Sequence, residues 1–119
     1  MAESSGYPQI VLNPDADLQR LTWENHVVLA AVQASLGNIG PDVRGIAVEA
    51  GKDRVTFHVA LTQRSAKGDE DIEDMLSEFE AVTGGYVRGT FALDTLVTVG
   101  DTGPEWSGYR WRRIFLAHA

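Results

Sequence analysis

Gly68-Asp-Glu-Asp-Ile-Glu-Asp-Met-Leu-Ser-Glu-Phe-Glu-Ala-Val-Thr-Gly-Gly85 decides the architecture. Ile72, Met75, Leu76, Phe79 and Val82 recur at three- and four-residue spacing, which places them within an arc of about 120° on one helical face. Glu70, Asp71, Glu73, Asp74, Glu78 and Glu80 fill the remaining surface. Asp69 stands where an N-cap belongs, the early carboxylates suit the positive end of the helix dipole, and Gly84-Gly85 supplies a left-handed stop. The apolar face of such a helix needs a sheet to lie on. Its other face offers dense negative charge to water or to a partner.

Working outward, the preceding stretch Arg54 to Leu61 alternates cleanly, with Val55, Phe57, Val59 and Leu61 on one side and Arg54, Thr56, His58 and Ala60 on the other. That pattern predicts a strand of an antiparallel sheet with one face on the core and one in water. Ala50-Gly-Lys-Asp53 reads as a hairpin connection to an earlier strand, Val43 to Ala50, whose inward set is either Ile46 and Val48 or Val43 and Ala47. Further back, Asp15 to about Leu36 has a helical pattern in which Leu18, Leu21, Val28, Ala31, Val32 and Ser35 can share a face. Asn13-Pro14 is its entry, Thr22 a second possible cap, Gly37 its C-cap, and Pro41 bars continuation.

Beyond Gly85, Tyr86 to Val99 predicts an extended stretch whose phase slips near Asp94-Thr95, the mark of a bulge. Asp101 to Gly108 is a run of turn formers. Tyr109 to Leu116 predicts a last strand with Tyr109, Trp111 and Phe115 on one face. The expected class is therefore α+β, one four-stranded antiparallel sheet with two helices on one face, in the order α-β-β-α-β-β. Residues 1–12 read as a flexible N-terminal arm and residues 13–119 as a single domain.

The formal net charge of −7 and pI near 4.8 oppose binding to nucleic acid or to anionic lipid, where neutralising phosphate supplies most of the attraction. They favour a basic protein partner. Seven of the seventeen acidic residues lie between Asp69 and Glu80, so the charge is concentrated as well as large. No apolar run reaches the roughly 18 residues of a membrane span, and the N-terminus has no basic n-region or apolar h-region. With no cysteine there is no disulfide or thiolate site, and a cytoplasmic location is expected.

Asp69, Asp71 and Glu73 mimic the alternate acids of a calcium loop, with Glu80 at its twelfth position. The sixth, which needs glycine, is Asp74, and the helical period points the side chains apart. Neither metal nor cofactor is expected. His26, His58 and His118 form no ligand pair at helical spacing. His26 reads as a hydrogen-bonded packing residue, and His58 as facing solvent or a ligand. Arg110, Arg112 and Arg113 with Trp106 and Trp111 make the basic-aromatic patch. Either the arginines pair and stack within the fold, or the tryptophans anchor a partner.

The run Ser35-Leu-Gly-Asn-Ile-Gly-Pro-Asp-Val-Arg-Gly-Ile-Ala-Val-Glu49 resembles a group of small acidic bacterial proteins associated with polymorphic toxin loci. In that group a Leu-Gly-x-Ile/Val-x-Pro-Asn-Leu/Val-Arg-Ala segment precedes a hairpin, an acidic helix and a closing aromatic-basic motif, for which Tyr109-Arg-Trp-Arg-Arg113 stands here. The similarity spans about residues 18–113, and Thr83-Gly84-Gly85 departs from the acidic-aromatic-proline turn of many relatives. The resemblance implies an immunity protein: a non-enzymatic binder that neutralises a toxin domain by occlusion. A nuclease toxin is basic because its substrate is polyanionic, so an acidic inhibitor can compete for that surface.

Residues expected at the partner surface are Glu70, Asp71, Asp74, Glu78, Trp106, Trp111 and Arg112. The alternatives are a secretion-chaperone-like adaptor for an effector, or a small enzyme using His58 or His26 as acid-base.

Overall fold

The structure, a computed structural model, describes residues 16–84 and 91–117. Along the chain run α1 (Ala16–Ser35), β1 (Val43–Ala50), β2 (Arg54–Leu61), α2 (Ala66–Gly84), β3 (Ala92–Val99) and β4 (Arg112–Leu116). In space the strands are ordered β3-β2-β1-β4. The arm, the Asn13-Pro14 entry, Leu18's side chain, residues 86–90 of the extended stretch and His118 lie outside what is described.

The sheet is mixed, which corrects the antiparallel expectation. β1 pairs antiparallel with β2 and with β4, but β2 and β3 run parallel. The lengths explain why. The 19 residues of α2 cover about 28 Å and the 8 of β2 about 26 Å, so the helix returns the chain to the start of β2. A strand begun there runs alongside β2 in the same direction. The parallel register is unbroken from Arg54–Ala92 to Leu61–Val99, so no bulge interrupts β3. The apparent phase slip arises because Leu96 pairs with His58, on the sheet face turned away from the helices.

Both helices cover one face, where Ile46, Val48, Val55, Phe57, Val59 and Leu61 meet Ile72, Met75 and Phe79 of α2 and Trp23, Val27, Ala30, Ala31 and Ala34 of α1. Phe79 is fully buried and meets Phe57 edge-on at 5.0 Å between centroids. Val43 and Ile46 share this face despite their odd spacing because a register shift between Val43 and Gly45 adds one residue to β1. Neither expected inward set was complete.

The buried side of α1 differs from the expected one. Gln19, Trp23, Val27, Ala30, Ala31, Ala34 and Ser35 are buried, whereas Leu21, Leu29, Val32 and Leu36 are exposed. Alanines let the helix lie close to the sheet, and Trp23 fills the hairpin end, its indole N–H donating to the Gly51 carbonyl at 2.8 Å. The helix is continuous through Thr22 and ends at Ser35, and Gly37 just beyond, with a φ of +82°, supplies the left-handed stop.

The second face of the sheet is not in water. β3 and β4 occupy opposite edges, so the connection 100–111 must cross β2 and β1, and it does so on the face the helices leave open. Trp106 packs there on Ala47 and Ala60. Thr56 and His58 are buried with them. Tyr109 and Trp111 belong to this crossing and not to a strand, since β4 begins at Arg112.

Candidate functional site

α2 begins one turn earlier than its acidic run suggests. Ser65 is the N-cap: its hydroxyl accepts the Gly68 N–H at 2.9 Å, and Asp69 lies inside the first turn. The helix consequently includes a lysine, Lys67, where the acidic run from Asp69 has none. Arg64 pairs with Asp69 at 2.9 Å, and Lys67 with Asp71 at 2.5 Å. The Lys67 pKa is raised, first by its hydrogen bond to Asp71 and then by that carboxylate's charge, with Glu70 and Asp74 adding to it.

From this cap the helical period sorts the acids. Asp71 is buried beside the 36–42 loop, so close that a Cβ on Gly40 would lie 2.9 Å from its Oδ2. It is therefore not part of the outward surface expected of it. Glu70, Asp74 and Glu78 follow one another at four-residue spacing on the exposed side, flanked by Glu73 and Glu80. Among the described residues none of these five side-chain carboxylates has a hydrogen-bonding or ion-pairing partner. Like charges at this spacing repel by a few tenths of a kcal/mol per pair, so the row costs the free helix stability.

The other three expected residues do not form one patch. Trp106 is 6% exposed and sits inside the crossing connection. Arg112 lies opposite Val48, points to the helix side and donates to Glu24 of α1 at 2.8 Å. Trp111 is 44% exposed on the opposite face and stacks on His58 at 6.4 Å with 15° between the rings. Near it Arg113 lies over the Tyr109 ring at 4.9 Å. The acidic row and the Trp111 surface thus occupy opposite sides of the sheet.

One constellation was not anticipated. Buried His58 is held on both sides, with Ser107 Oγ 2.9 Å from Nδ1 and Glu49 Oε1 3.0 Å from Nε2. Ala47 lies opposite His58 and Glu49 opposite Thr56, so Glu49 is His58's diagonal neighbour on the same face. The short hairpin connection contained that half of the relationship. Ser107, 49 positions away in sequence, could not be placed by any local pattern.

The sequence profile described as MafI2 immunity protein matches residues 24–88, more than half of the 119. The chain belongs to the MafI2 immunity protein family. The matched segment takes in most of α1, the β1–β2 hairpin and all of α2, acidic row included, and stops before the crossing connection that carries Trp106 and Trp111. No curated protein matches the chain. The family agrees with the immunity-protein resemblance of the sequence. Among the described residues no helix is long and apolar enough to cross a membrane.

Proposed function

We propose that this protein neutralises a toxin domain by occlusion, without chemistry of its own toward that toxin, and that the exposed row Glu70, Asp74 and Glu78 seats in a basic groove of the partner. The observation that carries the reading is the coincidence of the family match with a helix face bearing five carboxylates that have no hydrogen-bond or ion-pair partner among the described residues. Charges that repel one another in the free protein gain when a cationic surface covers them, and they speed the encounter. A nuclease toxin supplies such a surface, since it must hold a polyanion. The cytoplasm is where such a target would be exposed to attack.

Co-expression with the toxin domain encoded beside this protein tests the reading. Wild type is expected to restore growth, and Glu70→Lys/Asp74→Lys/Glu78→Lys to lose protection while remaining folded. Full protection by the folded triple variant would remove the acidic row from the interface. Trp111, stacked and half-exposed on the far face, would then be the surface to test next.

A further inference from the structure

Neutralisation by the acidic row leaves the Glu49–His58–Ser107 chain on the opposite face without a role. We propose that Ser107 is a nucleophile activated by His58 and Glu49, and that the groove it borders cleaves small carboxylic esters. This activity is independent of the toxin-binding reading.

The tautomer follows from the partners. Glu49 Oε1 can only accept from Nε2, so the imidazole proton sits on Nε2 and Nδ1 is left with a lone pair facing the Ser107 hydroxyl. That is the division of labour of a serine–histidine–carboxylate triad, with the two ring nitrogens exchanged. His58 is 3% exposed and Trp111 stacks on its ring, which keeps water off the base, whereas Ser107 is exposed and reachable. Glu49 is a positioning residue that also stabilises the imidazolium when it forms.

Ser107 stands on the wall of an open groove of about 730 Å3 between the end of β3 and the crossing connection, a size suited to a small molecule. Val99, Pro104 and Trp106 give it apolar lining and Glu105 gives it negative charge, while the Asp101 carboxylate is paired with Arg44. The apolar wall suits neutral esters, and Glu105 disfavours those that carry a carboxylate.

In the first step Ser107 Oγ bonds to the acyl carbon while its proton passes to His58 Nδ1. The carbonyl oxygen becomes an oxyanion. Collapse breaks the bond to the leaving oxygen, which departs as an alcohol with the proton from Nδ1. Water then attacks the acyl-serine, gives a proton to Nδ1, and releases a carboxylic acid as Oγ recovers that proton. Nothing is oxidised or reduced.

The test uses the full chain, a fluorophosphonate probe and p-nitrophenyl acetate. Peptide mapping of labelled wild type is expected to find the adduct on Ser107. S107A should show neither that adduct nor hydrolysis above the free-reagent rate. E49Q, which can present an N–H to Nε2 and force the wrong tautomer, should lower kcat about a hundredfold with KM little changed. An adduct confined to other residues, none at all on folded wild type, or hydrolysis unchanged in folded S107A would overturn the proposal and leave the chain as a tether for the connection.

Discussion

Lys67 Nζ lies 2.5 Å from the Asp71 carboxylate one turn further along α2, and their side chains are 74% and 7% exposed. An ammonium in water thus caps a carboxylate that the fold has buried beside Gly40. Asp71 is therefore part of the joint between α2 and the 36–42 loop. Asp71→Ala is expected to lower the denaturation midpoint clearly, while Glu70→Gln next to it stays within the scatter of surface substitutions, about 0.5 kcal/mol. Urea melts of the two variants check this, and equal effects would contradict it.

The same contact has a pH signature. Because folding raises the Lys67 pKa, its contribution to stability is complete below the ordinary value of 10.5 and is lost as pH rises through the higher folded value. The melting-temperature gap between wild type and Lys67→Met should hold at neutral pH and narrow above about 10.5. A gap that does not change over that range would show that the contact carries no linkage.

Phe79 anchors α2 to the sheet through its edge-on contact with Phe57. Phe79→Ala should cost about 3–5 kcal/mol in chemical denaturation through lost burial and a residual cavity. A loss under about 1 kcal/mol would place the wrong side of the helix on the core.

The crossing connection is held by Trp106, whose ring lies against Gly108 so closely that an added Cβ would meet Cζ2 at 2.6 Å. Gly108→Ala must displace the ring or the turn, an overpacking cost of about 1–3 kcal/mol. Near-UV circular dichroism should lose part of its tryptophan signal with it. An unchanged spectrum and midpoint would mean that the turn yields freely.

What could be read from the sequence follows where each element's burial comes from. α2 buries Ile72, Met75 and Phe79 as its period requires, because this one apolar arc meets the core shared by the sheet and α1. α1 has apolar residues all round, with Leu21 at 41% and Leu29 at 70% exposed, so periodicity could not choose its side. His58 was read as facing outward because the strand alternates correctly. Its cover comes from Ser107 and Trp111, about fifty residues later, across two strands. Asp71 was misplaced for a smaller reason: it lies at the margin of the acidic arc, where the 36–42 loop decides its exposure. The parallel β2–β3 pairing was implicit in the equal lengths of helix and strand, but alternation in β2 argued for the antiparallel form.

The central claim is that the Glu70–Asp74–Glu78 row meets the toxin through charge. The direct measurement is the association rate of purified protein and toxin domain at two ionic strengths, for wild type and for the folded triple lysine variant. Wild type is expected to associate more slowly as salt rises, because screening shortens the reach of the row. The variant should associate more slowly at low salt and should lose or reverse that dependence. Equal rates with equal salt dependence would contradict the account and make the row a solvated face.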